Sequence, residues 1–181
     1  QNAMQRYKDE NYLALFSTFG TGASPGTGNP LQSGHVAAAK ARIRSNVTEP
    51  AMGPIHAVLH GFNIKDIRDE IVAGVGNYTI PTGMTEDVFK RGFVGMTVDS
   101  VNIWEDGNIT VDSTPDARGA VHAQEAVVQV QGRAVKRYQR ELPDYGGGGQ
   151  EWFCYDEFAY GERSAGNWAF TILADASSPT S

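Results

Sequence analysis

Gly92-Phe93-Val94-Gly95 leads into Val101-Asn102-Ile103-Trp104-Glu105-Asp106-Gly107-Asn108-Ile109, and the chain then runs through Gly119-Ala120-Val121-His122-Ala123-Gln124-Glu125-Ala126. A basic run, Arg133 to Glu141, and an aromatic block, Trp152 to Tyr160, follow. Across residues 92–173 short β-branched and aromatic segments alternate with Gly, Asn, Asp and Pro, the pattern of strands closed by turns. No residue type in this stretch is arranged for catalysis.

Partial alternation of Met96, Val98, Val101 and Ile103 predicts a strand over 93–104, a turn at 105–108 and a second short strand at 109–112. Further strands are expected at 119–122, 132–142, 151–160 and 167–174, with a short helix at 124–130 and a glycine loop at 143–150. Residues 177–181 read as a frayed tail.

Upstream, Met4, Tyr7 and Leu15, with Tyr12 nearby, mark a helix over 2–16. Residues 17–32 form a Gly/Pro/Ser loop, and Ser33 is placed to cap a helix over 34–46 that carries Val36, Ala39 and Ile43 on one face. A strand follows at 54–60, then a helix from an Asn63 cap through Ala73 with Ile64, Ile67 and Ile71 at helical spacing. Residues 74–84 read as loop, and Thr85 as the cap of a short helix through Lys90. Helices first and antiparallel strands late indicate an α+β fold with a few helices.

A chain of 181 residues can bury roughly 70% of its unfolded surface and needs no metal or disulfide staple. Its 40% hydrophobic and 20% charged content is that of a globular protein, and 21 glycines predict many turns. The net charge of −6 argues against a general nucleic-acid binder, which carries a basic face. It is compatible with a wall that repels the phosphates of DNA packed behind it. Cys154 is the lone cysteine, so no disulfide forms within the chain, which fits a reducing compartment. No run of about 18 apolar residues offers a membrane span. Gln1-Asn2-Ala3-Met4 reads as the middle of a longer chain, inside a helix already under way.

His56 and His60 suggest a metal pair, but on a strand four residues span about 13 Å, too far for two ligands of one ion. The plainer reading is a histidine at a strand end contacting backbone. Gly146 to Gly149 resembles a phosphate loop only in composition, since no Lys-Ser/Thr follows. Asp156 and Glu157 point to opposite faces of a strand, and Glu162 sits in a turn, so solvated or ion-paired carboxylates account for them. Asn46, Asn77 and Asn108 head glycosylation sequons, read as chance composition without a secretion signal. No Gly-x-Ser-x-Gly elbow is present. Neither a catalytic site, a cofactor site nor a metal site is assigned.

Arg133, Lys136, Arg137 and Arg140 form a basic cluster around Tyr138. Simple alternation puts Arg133 and Arg137 on one face with Gln139, and Lys136 and Arg140 on the other with Tyr138. A strand charged on both faces suits contact with acidic neighbours across subunits better than a core, and better than contact with DNA. Trp152, Cys154, Asp156, Phe158 and Tyr160 alternate with Phe153, Tyr155, Glu157 and Ala159, so both faces of that strand carry aromatics. Such a strand is expected to be covered by a helix on one side and by a neighbouring subunit, or the rest of its own chain, on the other. Arg133, Lys136, Arg137, Arg140, Trp152 and Phe158 are the subunit-interface candidates.

Taken in order, these segments resemble the C-terminal portion of Hong Kong 97-like major capsid proteins of tailed bacteriophages. Residues 2–16 are similar to the end of the family's spine helix, and Gly53-Pro54-Ile55-His56-Ala57-Val58-Leu59-His60 to its central strand ending in His, here followed by Gly61. Gly92 to Ile109 resembles the strand-and-turn phrase that closes on Asn-Ile, and Arg133–Glu141 with 151–160 resembles the peripheral strands.

The resemblance implies the peripheral and axial domains of that fold. Residues 1–32 would be the spine-helix end and loop, 33–118 the axial-like region and 119–181 the peripheral strands. It implies a structural subunit, not an enzyme, that assembles with copies of itself in hexamers and pentamers into the head of a virion in the bacterial cytoplasm. Portal, scaffold or decoration proteins would be further partners, with packaged DNA nearby and no sequence-specific binding. The alternatives are a cellular compartment shell of encapsulin type, and a small metal-dependent hydrolase using His56, His60 and nearby carboxylates.

Overall fold

The computed structural model describes residues 2–75, 97–142, 149–163 and 167–179. Helix α1 spans Asn2–Ala14 and tightens into a 3₁₀ turn, Leu15–Ser17; α2 spans Ser33–Arg44 and α3 Gly61–Val75. The strands are β1 (Ile55–Leu59), β2 (Thr97–Val98), β3 (Val101–Glu105), β4 (Asp116–Ala123), β5 (Val127–Leu142), β6 (Gly149–Glu162) and β7 (Ala169–Asp175). The fold is α+β, with one five-stranded sheet in the order β2-β3-β1-β4-β7 and a separate two-stranded ribbon of β5 and β6. Among the described strands only β1 and β3 run parallel, the other strand pairs being antiparallel, and an isolated parallel bridge joins Gly20 to Phe170.

The sheet buries both faces, which is why its strands read as nearly continuous apolar runs. Register puts Ile55, Ala57, Val101, Val121 and Phe170 on one face. There they join Val36, Ala39 and Ile43 of α2 and Ile64 and Ile67 of α3 in the core, and Arg42 lies over the Phe170 ring at 5.9 Å. The opposite face carries His122 and Thr171, against which Phe16 and Phe19 pack below α1.

Close packing between strands shows at Gly119. A Cβ there would sit 2.6 Å from the Val58 carbonyl oxygen, so β4 can approach β1 only without a side chain. The free edge of β7 is sealed by the loop after α1. Gly20 N–H donates to Ala169 O (3.0 Å), Gly26 N–H to Leu173 O (3.2 Å), and Asp175 N–H to Asn29 O (2.9 Å). This satisfies backbone groups that an exposed edge would leave open to another chain.

Several local expectations are corrected. Ser33 is the first residue of α2 rather than its cap: Gln32 N–H donates to His35 Nδ1 (3.2 Å) and His35 N–H to the Gln32 carbonyl (3.1 Å). Asn63 does not cap α3. His60 does, accepting Phe62 N–H at Nδ1 (3.3 Å) and Ile64 N–H at its carbonyl (3.2 Å), while the buried Asn63 amide donates to Asp175 O (2.7 Å). The second strand expected at 109–112 is reduced to one bridge, Val111 to Ala117. The helix expected at 124–130 is a single 3₁₀ turn, Gln124–Ala126, because Val127, Val128 and Val130 are β-branched and enter β5 directly. Residues 143–148 of the glycine loop, the helix expected at 85–90, and Gly92 to Gly95 lie outside the described residues.

The strand expected over 93–104 is instead, in its described part, a hairpin of β2 and β3, turned by Asp99 (φ 47°) and Ser100 (φ 62°). Two positive φ angles give the primed two-residue turn that suits strand twist, normally built with glycine. Lys40 of α2 holds this turn, pairing with Asp99 Oδ2 at 3.0 Å and donating to its carbonyl. Ser100→Gly is therefore expected to stabilise the protein by about 0.5–1 kcal/mol, measured as a rise in the urea midpoint with unchanged slope.

Candidate functional site

The ribbon is an excursion between β4 and β7, which pair with each other in the main sheet. A two-stranded ribbon is marginal by itself in water, so its support comes from elsewhere. That support is α1. Helical spacing puts Met4, Lys8 and Tyr12 on one stripe, and alternation in β6 presents Cys154, Asp156, Phe158, Tyr160 and Glu162 on one face.

The two sets meet in order along their lengths. Cys154 Sγ contacts Met4 Sδ at 3.0 Å; Lys8 pairs with Asp156; and Tyr7 packs edge-on against Phe158 with centroids 5.9 Å apart. Tyr12 lies 6.0 Å from Tyr160, and Thr18 Oγ1, just past the helix, donates to Glu162 Oε2 at 2.7 Å. The Lys8 ammonium also stands 5.3 Å from the Phe158 ring centre.

Asp156 is the deepest charge in this seam, its side chain 2% exposed. Its Oδ1 accepts from the Gln131 amide, and its Oδ2 has the Lys8 ammonium as ionic neighbour but no donor in aligned hydrogen-bond geometry. A buried carboxylate of this kind depends on its counter-charge.

Tyr12 ties the seam to the main sheet. Its hydroxyl lies 2.6 Å from His122 Nε2, and its ring packs edge-on against Phe16 at 5.1 Å. Burial, with smaller contributions from Asp106 and Tyr160, pushes the Tyr12 phenol up, and burial raises Tyr160 likewise. Burial lowers His122, partly offset by its bond to the Ala123 carbonyl.

The other face of the ribbon is open. Strand β5 carries register shifts between Gln131 and Arg133 and between Arg133 and Lys136, two extra residues that break simple alternation. Arg133 pairs opposite Glu157, Lys136 opposite Tyr155 and Arg140 opposite Glu151, all on the face away from α1. The expected grouping of Arg133 with Arg137 is thereby corrected, because the bulges rotate Arg133 to the Lys136 side. Arg133 Nε lies 3.3 Å from Glu157 Oε2.

Tyr138 and Tyr155 stack on this open face at 5.7 Å and 12°, with Phe153 beside them. Tyr138 is 49% and Phe153 47% exposed, and Val128 and Val130 extend the apolar surface toward the ribbon base. Arg137 lies opposite Cys154 on the α1 side, but beyond the start of the helix, with its guanidinium 6.0 Å from the Trp152 ring. Trp152 is 57% exposed. Phe158 is half-buried beneath α1, so its main contacts lie within the chain.

The other candidates are dispersed. His56 Nδ1 accepts from Trp104 Nε1 (3.1 Å), and His60 caps α3, so the two histidines make separate contacts. Among the described residues no group of three or more His, Cys, Asp or Glu side chains could hold a metal ion. A groove of about 430 Å³ between α1 and residues 108–118 is lined by Glu10, Ser17, Asp112, Asp116 and Arg118. Its Asp116 carboxylate is taken up by Gly28 N–H and the Thr114 hydroxyl, and the Ser17 hydroxyl donates to Ala14 O, leaving no nucleophile–base pair there. Asp112 is held below the usual carboxylate range by bonds from Thr114 and the Asp116 N–H.

Sequence reasoning missed the α1–β6 match, although its signal was present: the polar Lys8 interrupts the helix stripe where Asp156 interrupts the aromatic alternation. It also missed the Tyr12–His122 bond, whose partners lie 110 residues apart.

No family model matches the chain, and no curated protein matches it. Solved structures do. The capsid of Ralstonia phage GP4 matches over 91% of this chain and 54% of its own, with 13% identity and a TM-score of 0.60. The capsid asymmetric unit of cyanophage Pam1 matches over 92% of this chain and 56% of its own, with 11% identity and a TM-score of 0.63. A structure of Mycobacterium phage Che8 matches over 94% of this chain and 59% of its own, with 12% identity and a TM-score of 0.67. The chain has the fold of phage capsid subunits and spans just over half the length of these three.

Lys8→Met should leave Asp156 as an uncompensated buried charge and cost more than about 2 kcal/mol. Adding Asp156→Asn should recover most of that loss, as urea unfolding of the single and double variants would show.

Proposed function

We propose that these residues form the wall of a tailed-phage head: a structural capsid subunit that assembles with copies of itself, in hexamers and pentamers, into an icosahedral shell around packaged DNA. The fold shared with phage capsid subunits over nearly the whole chain is the observation that carries this reading. In it, the five-stranded sheet with α2 and α3 is the axial part and α1 with the ribbon the peripheral part; this departs from the expected division at 32/33 and 118/119, because β4 and β7 pair into the sheet of β1 and α1 packs on the ribbon. The protein resides in the virion after assembly in the host cytoplasm, and portal, scaffold or decoration proteins are its further partners.

Subunit contact is assigned to the ribbon. Its open face combines Tyr138, Phe153 and the cations Arg133, Lys136 and Arg140, a mixture of exposed aromatic and guanidinium groups that favours protein interfaces. Arg137 and Trp152 add an exposed cation and ring on the other face, where α1 covers the strand only in part. Phe158 acts from below, fixing the ribbon to α1. Each contact can be weak, because closed symmetry makes every later contact effectively intramolecular. The net charge of −6 suits a wall lying beside DNA without binding it by sequence.

Arg137→Glu with Arg140→Glu is expected to abolish shell formation, seen by negative-stain imaging and sedimentation. Stability should change by no more than about 0.5 kcal/mol per exposed site. Particles of normal size and yield from the double variant would remove the ribbon from the interface.

A further inference from the structure

We infer that the Tyr12–His122 hydrogen bond is an acid-released latch that joins α1, and with it the ribbon, to the five-stranded sheet. The inference is independent of the shell reading, because every group involved lies within one chain. His122 is 6% exposed. Its Nδ1 lies 2.9 Å from the Ala123 carbonyl, which can only accept, so Nδ1 carries the proton. Nε2 is then the acceptor for the Tyr12 hydroxyl at 2.6 Å. Among the described residues Tyr12 Oη has this one hydrogen-bond partner. The neutral ring thus satisfies both of its nitrogens and the phenol together.

A second proton on His122 breaks that match. Nε2 becomes a donor, the phenol must accept, and the half-buried phenol's own proton loses the acceptor it had. The imidazolium would also be desolvated with no carboxylate to receive it.

The groups facing His122 show why. From α1 comes Tyr12, and behind it Tyr160 of β6; neither is an anion near neutrality. From β1 comes His56, directly opposite with ring centres 6.2 Å apart, which offers no negative charge. The His56 ring already accepts from Trp104 of β3. The segment after α1 presents Phe19, and β7 presents Ala169, neither titratable. Asp106 acts on the Tyr12 phenol, but the two ring nitrogens of His122 are taken up by the Ala123 carbonyl and the Tyr12 hydroxyl, and among the described residues no carboxylate forms an ion pair with the ring. Acidification therefore adds charge on the β4 side of the contact and offers it no counter-ion.

The sign follows from the lowered His122. The latch contributes fully above the ordinary histidine value of 6.5, and its contribution is lost as pH falls from there toward the depressed value in the fold. Because Tyr12 also lies against Tyr160, loosening it frees the helix that carries β6, while β4 and β7 keep their own ladder.

The test is hydrogen exchange of the full chain at matched intrinsic rates, at pH 7.5 and pH 5, with His122 followed by NMR titration. Exchange over 2–14 is expected to accelerate at least tenfold on acidification relative to that over 116–123, and His122 to titrate below 6.5. His122→Gln keeps an acceptor for Tyr12 that cannot be protonated in this range, and should abolish the selective acceleration; His56→Gln should leave most of it. Equal protection of α1 at both pH values, a His122 that titrates at or above 6.5, or an unchanged acid response in His122→Gln would each overturn the latch. If His122→Gln does not fold, the wild-type exchange and titration decide alone.

Discussion

Fourteen residues of β6 can stand away from the main sheet because α1 runs beside them with a matching order of side chains. A two-stranded ribbon exposes both faces and both edges and has little area with which to offset the entropy of ordering its chain. Helix α1 partly covers one face, half-burying Phe158 and Tyr160 and enclosing the Asp156 carboxylate, and fixes the ribbon to the sheet through Tyr12. Lys8 and Asp156 add specificity to that seam: a helix displaced by one turn would leave a carboxylate buried without its cation.

That constraint divides the ribbon's residues into two kinds. Those facing α1 hold the subunit together, and Phe158 belongs among them. Those facing away carry exposed aromatic rings between cations, with Arg133 partly engaged by Glu157. The bulges in β5 matter here because they bring Arg133, Lys136 and Arg140 to the same open face. Without them Arg133 would turn to the α1 side, which already carries Arg137.

The alternation of Trp152 to Tyr160 and the apolar runs at 55–59 and 119–122 made the strands legible, because burial on a pleated surface imposes a period of two. The order of elements was legible as a capsid resemblance for the same reason. What escaped reading was whatever depends on partners distant in sequence. The bulge between Gln131 and Arg133 falls on Gly132, a glycine-in-strand signal that the reading by simple alternation passed over, and the Asp99–Ser100 turn lacks the glycine that would announce it. His60 was read as a histidine at a strand end contacting backbone, and it is one: it accepts Phe62 N–H, although its part in capping α3 is set by where that helix begins. The expected coverage of β6 by a helix was read correctly as a need, but which helix supplies it could not be read from β6.

The central claim is that the ribbon's open face is where one copy meets another. It is tested most directly by replacing Tyr138 with a photo-crosslinking amino acid and irradiating assembled particles. The account predicts covalent dimers joined through the ribbon, with peptide mapping placing position 138 against a second copy. Particles that form normally and yield only cross-links within one chain would contradict it.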